Sequence, residues 1–272
     1  MRKDRIALQL YSIRDDMQID FYGTLKKVKG MGYSGVEFAG LFDNEPTNVK
    51  KMCDDLELIP LSAHVPFVDL MNHMDEVIAC YTTLGCKYIV VPYLTEEFRP
   101  GTPGFQTVID TIRILGQKLS VKGMVLQYHN HDFEFVKLDG EYALDVLYRE
   151  AGPDVLQTQI DTCWVNVAGE DPAEYLKKYA GRMPTVHLKD FSGSRSENMY
   201  ALIGIDDNQM KKADGRFEFR PLGKGQQNFP AIIAAADEGG AEWFIVEQDN
   251  PSMGYTALEC AQISANYLLN EV

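Results

Sequence analysis

The chain has 272 residues, of which 45% are hydrophobic, and it is about as long as one α/β barrel domain of about 250 residues. Its 40 acidic and 26 basic residues give a formal charge of -14, which disfavours nucleic acid as a partner because a phosphate backbone would be repelled. No stretch approaches the roughly 20 apolar residues of a membrane span, and the basic N-terminus lacks a following apolar run, so we expect a cytoplasmic protein with no membrane partner.

Short β-rich runs alternate with longer amphipathic stretches along the chain, which is the pattern of βα units around a parallel sheet. The predicted strands are Ile6–Leu10, Gly35–Phe38, Leu58–His64, Tyr88–Pro92, Val125–His129, Leu156–Asp161, Thr185–Lys189 and Trp243–Glu247. Each unit averages about 34 residues, near the roughly 30 of a βαβ unit, so the sheet has enough members to close. The sequence therefore predicts an α/β fold, a (β/α)8 TIM barrel, as a single domain over residues 1–272.

A doubly wound open sheet is the alternative architecture. It would need a glycine-rich phosphate loop after the first strand, and the segment Ser12–Asp15 is not one. The longest irregular region runs from Phe191 to about Asn228, is punctuated by Gly204, Gly215, Gly223 and Gly225, and is predicted to be a functional lid ahead of a helix over Phe229–Glu238. Five cysteines without a CxxC pair are expected to be reduced packing residues.

Polar residues end the predicted strands, and in a closed parallel barrel these ends gather at the active-site face. Asp161, His187 and Glu247 close strands six, seven and eight, each after an apolar run. Charged groups at such positions are costly unless they are paired, hydrogen-bonded or bound to metal. Two carboxylates and an imidazole suit Mn, Mg, Zn, Co or Fe, so we expect one divalent metal ion here. The alternative is three separate rim residues, each held by local hydrogen bonds.

The end of strand five carries two histidines, His129 and His131. They lie two residues apart and therefore on one side of an extended segment. Either histidine could bind metal, move a proton or hydrogen-bond a hydroxyl. The alternative is that both rings only form structural hydrogen bonds at the rim of the barrel.

Five motifs occur in a distinctive order. They are Gln-Tyr-His-Asn-His-Asp-Phe-Glu-Phe from Gln127, Gln-Ile-Asp-Thr-Cys-Trp-Val from Gln159, Val-His-Leu-Lys-Asp from Val186, Pro-Leu-Gly-Lys-Gly from Pro221 and Ile-Val-Glu-Gln-Asp from Ile245. Over nearly its whole length the chain resembles the sugar phosphate isomerase/epimerase family, the xylose isomerase-like TIM barrels. The resemblance implies a small-molecule carbohydrate substrate and a metal held at the strand ends, and it does not specify which sugar.

The resemblance also implies individual roles. Asp161, His187 and Glu247 match metal positions of the family. Many members have a metal-binding glutamate where this chain has Gln127, so we expect Gln127 as a weak fourth ligand, with His131, Glu134 or water as alternatives. Catalytic roles are expected for His129, Glu247 and Lys189, and substrate contacts for His64, Glu37, Tyr11, Gln9, Trp164 and His131.

Three of these expectations carry alternatives of their own. Lys189 would stabilise an enolate oxygen or a carboxylate, or would instead form an ion pair with Asp190 or Glu247. Glu37 would bind a hydroxyl or belong to a buried structural pair. Trp164 and Tyr11 would stack on a sugar face or serve plain packing.

The expected reaction is isomerisation or epimerisation of a small sugar or keto-sugar. A metal that chelates a carbonyl and its neighbouring hydroxyl stabilises the enediolate formed when the intervening proton is removed, and the proton then returns to the substrate. Loss of a leaving group instead would make the protein a lyase or dehydratase of a keto-inositol or a 3-keto-glycoside. A non-catalytic sugar-binding protein is a further alternative, and an endonuclease acting at abasic sites is disfavoured by the net charge. Homo-oligomerisation is left open.

Overall fold

The computed structural model of the chain describes residues 2–196, 199–200 and 216–272. Eight parallel strands close a barrel in chain order, in which the first strand pairs with both the second and the last. They are β1 (Ile6–Gln9), β2 (Gly35–Phe38), β3 (Ile59–His64), β4 (Tyr88–Val91), β5 (Val125–His129), β6 (Gln157–Asp161), β7 (Thr185–Leu188) and β8 (Trp243–Val246). The predicted barrel is confirmed, and each strand end lies within one residue of its predicted place.

Helices follow the strands and surround the barrel. They are α1 (Arg14–Ile19), α2 (Phe21–Gly30), α3 (Pro46–Asp55), α4 (Phe67–Asn72), α5 (Met74–Leu84), α6 (Gly104–Val121), α7 (Ala143–Ala151), α8 (Thr162–Val167), α9 (Pro172–Lys178), α10 (Phe229–Glu238) and α11 (Ala257–Asn270), with 3-10 turns at Leu10–Ile13, Glu96–Phe98 and Phe133–Phe135. The side chains of Thr256 and Glu259 form a capping box that starts α11. In the described part of the chain, no helix is long and apolar enough to cross a membrane.

The barrel interior changes from apolar to polar along the strands. Ala7, Leu61, Tyr88, Trp243 and Ile245 form a buried apolar cluster near the N-terminal ends of their strands. A larger core of buried aliphatic and aromatic residues joins the outward faces of the strands to the helices. Because side chains two apart on a strand share a face, the inward-facing residues that follow this apolar cluster form a polar layer at the C-terminal ends of the strands. The apolar cluster therefore separates the polar layer from the N-terminal end of the barrel.

The region predicted as an irregular lid contains regular structure. Residues Asp190–Gly193 pair antiparallel with Phe217–Arg220. Phe217 and Phe219 alternate with polar residues, so one face of this hairpin is apolar and packs in a cluster with Trp164. Residues 201–215, with Gly204 and Gly215, lie outside the described residues. A second short hairpin pairs Lys137–Leu138 with Glu141–Tyr142.

The glycine motif after this hairpin is fixed by a buried carboxylate. Asp190 Oδ2 accepts hydrogen bonds from the backbone N–H groups of Gly223 at 3.0 Å and Gly225 at 2.8 Å. Asp190 Oδ1 accepts from the N–H of Gln227 at 3.2 Å. A side chain on Gly225 would meet Asp190 and the Phe191 carbonyl at less than 2.5 Å, so glycine is required for this approach.

Candidate metal and substrate site

Buried polar side chains from most of the barrel strands meet inside the C-terminal mouth of the barrel. They are Gln9, Glu37, His64, His129, Gln159, Asp161, His187, Lys189 and Glu247, none of them more than 4% exposed. Strand register brings them together, since Asp161 lies beside His187 across the β6–β7 pair. The structure therefore assembles at one place nearly all of the strand-end residues that the sequence singled out.

Four of these residues form a candidate metal site. The ligand atoms of His129, Asp161, His187 and Glu247 all lie within 4.8 Å of one another. His187 Nδ1 lies 3.0 Å from Glu247 Oε2, and His129 Nε2 lies 3.6 Å from Asp161 Oδ2. Two imidazole nitrogens and two carboxylate oxygens are a donor set that transition-metal ions accept.

The two oxygens of Asp161 have different surroundings. Oδ1 caps α8 by accepting from the N–H groups of Cys163 at 2.8 Å and Trp164 at 3.1 Å. Oδ2 is buried and has no hydrogen-bond partner among the described residues. A buried carboxylate oxygen without a hydrogen bond is unfavourable unless cations compensate its charge, and the Lys189 ammonium, 3.4 Å away, does so in part. The observation therefore fits a metal ion at this position.

Gln127, predicted as the fourth ligand, lies elsewhere. Its Nε2 donates to the Thr158 carbonyl at 2.7 Å and to Thr185 Oγ1 at 3.0 Å, and Thr185 Oγ1 donates to its Oε1 at 3.1 Å. Both ends of the amide are thus bonded to the protein one layer deeper in the barrel. His129, two residues further along the same face of β5, belongs to the candidate metal site instead.

Glu37 is the hub of a second layer of contacts. Its carboxylate faces five side-chain donors: Ser62 Oγ at 2.6 Å, Gln159 Nε2 at 2.7 Å, His187 Nε2 at 2.7 Å, Gln9 Nε2 at 2.9 Å and His64 Nε2 at 2.9 Å. Gln9 also accepts from the N–H of Tyr11 through its Oε1 at 3.0 Å. The polar atoms of Glu37 and Gln9, predicted as substrate contacts, are therefore bonded within the protein.

Lys189 lies among three buried carboxylates. Its Nζ is 2.9 Å from Glu247 Oε2, 3.0 Å from Asp249 Oδ1 and 3.4 Å from Asp161 Oδ2. Burial lowers the pKa of the ammonium, but these carboxylates outweigh it and raise the pKa well above its usual value. Of the two alternative ion pairs, the one with Glu247 is present, whereas the Asp190 carboxylate binds backbone N–H groups. Lys189 is thus a fixed positive charge beside the candidate metal site.

The histidines differ in charge. Burial lowers the pKa of His129 and of His131 well below the usual value, so both are neutral. Burial acts in the same direction on His187, but Glu37 and Glu247 outweigh it and raise the pKa to about 10. At neutral pH His187 is therefore an imidazolium between two carboxylates. A divalent cation bound by Glu247 and His187 would replace that proton.

Stacked aromatic rings form one wall of the site. His131 stacks between Phe133, with ring centroids 5.1 Å apart, and Trp164, also at 5.1 Å. The indole of Trp164 stacks in turn on Phe217 at 5.9 Å. Protein rings therefore stack on Trp164, which agrees with the packing alternative and not with the stacking on a sugar. The Nε1 of Trp164 and the Nδ1 of His131 are buried and have no hydrogen-bond partner among the described residues.

The described part of the predicted lid contacts this wall. Tyr200 packs on Trp164 with ring centroids 5.5 Å apart, and its hydroxyl donates to Asp132 Oδ1 at 2.5 Å. Arg195 pairs with the other oxygen of Asp132 at 2.9 Å. After β1, the guanidinium of Arg14 lies 4.3 Å from the centroid of the Tyr11 ring. These contacts cover both predicted stacking aromatics with protein groups.

Sequence reasoning missed Gln159 as a site residue. Its Oε1 lies 2.7 Å from His64 Nε2 and 3.3 Å from His129 Nδ1, so it joins two of the predicted histidines. A signal was present, because Gln159 lies two residues before Asp161 and so on the same face of β6.

Comparison with known proteins finds a matching family model, related sequences and similar solved structures. A family model described as a xylose isomerase-like TIM barrel matches residues 25–269. An inosose dehydratase from Geobacillus thermodenitrificans is 29% identical over 183 residues, which span 65% of this chain and only 56% of that relative. A sugar phosphate isomerase/epimerase structure from Parabacteroides distasonis has a TM-score of 0.78 at 22% identity, covering 98% of each chain. The IOLI protein, solved with a binding zinc atom, has a TM-score of 0.71 at 16% identity over 98% of this chain and 97% of that one.

Proposed function

We propose that this chain, which belongs to the xylose isomerase-like TIM barrel family, is a metal-dependent lyase that dehydrates a keto-inositol or a similar polyhydroxylated ketone. Dehydration is placed ahead of the isomerisation expected from the sequence because the relative from Geobacillus thermodenitrificans is named inosose dehydratase. The observation that carries the proposal is the set His129, Asp161, His187 and Glu247, whose ligand atoms lie within 4.8 Å of one another beside the cation of Lys189.

The donor set favours certain ions. Two imidazoles beside two carboxylates suit Zn, Mn or Co better than the harder Mg, which prefers oxygen ligands. The zinc atom in the structurally similar IOLI protein is consistent with this choice. Held by these residues, the ion would supply a Lewis acid that acidifies the carbon beside a ketone.

The chain's own residues would complete the reaction. Lys189 presents a positive charge where negative charge develops on the ketone oxygen. His131 is neutral, and its Nδ1 has no hydrogen-bond partner among the described residues, so it is suited to accept the carbon-bound proton. His129, expected to be the base, faces Asp161 within the metal set instead. Dehydration balances when His131 takes that proton, the bond from the next carbon to its hydroxyl breaks, and the proton leaves with hydroxide as water.

Metal binding is tested by urea unfolding with Zn, Mn, Co or Mg ions. An ion at about 100 times its Kd should add about 2.7 kcal/mol to the free energy of unfolding. Asp161→Asn and His187→Ala should each abolish this gain. Asp145→Asn is the control, since Asp145 is a buried carboxylate that bonds Tyr175 outside the site. If none of the four ions stabilises the wild-type protein, the metal-dependent proposal fails.

The reaction type is tested by incubating the metal-loaded protein with keto-inositols, ketoses and 3-keto-glycosides in deuterated water. Loss of water supports dehydration, and loss of an aglycone supports glycoside elimination. Solvent deuterium in an isomeric product would instead establish an isomerase or epimerase. Binding of these compounds without turnover would identify a sugar-binding protein.

A further inference from the structure

We infer that Glu37 and Gln159 are positioning residues that decide which ring nitrogen of His187 and of His129 faces the metal ion. The inference rests on the proposed metal centre. It concerns two side chains outside the four-ligand set, both fully buried. A histidine can offer one nitrogen to an ion only if the other nitrogen carries the proton, and a hydrogen-bond acceptor at that second nitrogen fixes the choice.

His187 is fixed by Glu37. Its Nε2 lies 2.7 Å from Glu37 Oε1, and a carboxylate can only accept, so this nitrogen carries the proton. The opposite nitrogen, Nδ1, lies 3.0 Å from Glu247 Oε2, on the side of the proposed ion. Glu37 therefore assigns Nδ1 of His187 to the metal.

His129 is fixed in the opposite sense by Gln159. The amide of Gln159 cannot turn freely, because its Nε2 donates to Glu37 Oε2 at 2.7 Å and to Thr185 Oγ1 at 3.1 Å. Its Oε1 therefore faces His129 Nδ1 at 3.3 Å and accepts a hydrogen bond from it, so Nδ1 carries the proton. This leaves Nε2 of His129, 3.6 Å from Asp161 Oδ2, for the metal.

The two positioning residues act as one unit. Gln159 is oriented by its bond to Glu37, and Glu37 is held in turn by Ser62 at 2.6 Å and by Gln9 at 2.9 Å. Each of these supporting groups is fully buried. Loss of Glu37 should therefore disturb both histidines, and loss of Gln159 mainly His129.

The direct test is the histidine tautomer in the Zn²⁺-loaded wild-type protein, read from long-range ¹H–¹⁵N NMR spectra. The chain has only five histidines, and the exposed His73 serves as an internal reference. We expect His187 to bind through Nδ1 and His129 through Nε2. Ligation of either ring through the other nitrogen overturns the inference while leaving the metal centre intact. If the wild-type protein binds no Zn²⁺, the proposed function and this inference fall together.

Metal affinity provides the second test. Removing a partner that orients a ligand typically weakens metal binding about 10- to 100-fold, so Glu37→Gln should raise the Kd for Zn²⁺ by that factor in calorimetry. Asp145→Asn, which alters a buried carboxylate away from the site, should leave the Kd unchanged. A Kd for Glu37→Gln equal to that of the wild type would refute the role of Glu37. Should this variant fail to fold, the tautomer measurement on the wild-type protein still decides.

Discussion

Replacing Lys189 by methionine removes a buried positive charge while keeping most of the length of the side chain. In the native protein the ammonium lies within 3.4 Å of Asp161, Glu247 and Asp249. The Lys189 side chain is only 2% exposed, so water cannot take the place of the lost charge. The variant therefore leaves three carboxylates facing one another in the barrel mouth.

The expected loss of stability follows from this geometry. Removing one partner of a buried ion pair costs about 3–5 kcal/mol, and because three carboxylates depend on Lys189 we expect the upper part of that range near neutral pH. Two conditions should reduce the loss. Burial raises the pKa of Asp249 to about 6, so acidification protonates this carboxyl and relieves the repulsion. A divalent cation bound to Asp161 and Glu247 would also replace the missing charge.

Urea unfolding of Lys189→Met and of the wild type, with and without Mn²⁺, measures these effects at neutral and mildly acidic pH. The control is Lys118→Met, since Lys118 pairs with Asp75 at 2.8 Å and the two side chains are 46% and 79% exposed, so the loss should be no more than about 1 kcal/mol. A loss for Lys189→Met as small as that of the control would refute the argument. An equal loss of stability with and without Mn²⁺ at neutral pH would also refute the argument, because it would mean that the ion does not bind these carboxylates.

Two further substitutions test particular contacts. Burial raises the pKa of Glu134 from 4.5 to about 7, so the folded protein holds this proton more tightly than the unfolded chain and stability falls as pH rises through that interval. In the native protein Glu134 accepts from the Tyr128 hydroxyl and from the His131 N–H. Glu134→Gln keeps an oxygen for the His131 N–H and presents its amide N–H to the Tyr128 hydroxyl oxygen, so it should flatten this part of the stability profile in urea unfolding, and an unchanged slope would contradict the assignment. Gln127→Glu places a carboxylate against the Thr158 carbonyl, 2.7 Å from the native amide nitrogen, and should cost about 1–3 kcal/mol. Calorimetry should find no tighter Zn²⁺ binding in that variant. Tighter binding would contradict the prediction and indicate that residue 127 is a metal ligand.

Local patterns in the sequence were sufficient for the architecture. Strand and helix periodicity depend on neighbours along the chain, so all eight barrel strands could be located before any contact was known. The Phe217–Arg220 strand was missed although its alternation was visible, because the polar residues and glycines around it indicated a loop. Asp161, His187 and Glu247 were identifiable because a charged residue directly after an apolar strand is costly to bury unless a partner or an ion compensates its charge.

The depth of each polar residue inside the barrel, and the residues that it contacts, could not be predicted from such local patterns. Gln127 and His129 share a face of β5, and nothing in their spacing says which of them reaches the layer of Asp161 and His187. The stagger of strands in a closed barrel sets that layer, and it places His129 beside Asp161 and Gln127 beside Thr185. The sequence alone thus determined the barrel and the face on which each polar residue lies. Only the tertiary structure decided which polar groups meet, because the side chains that contact Glu37 come from strands far apart in the chain and no local pattern encodes such contacts.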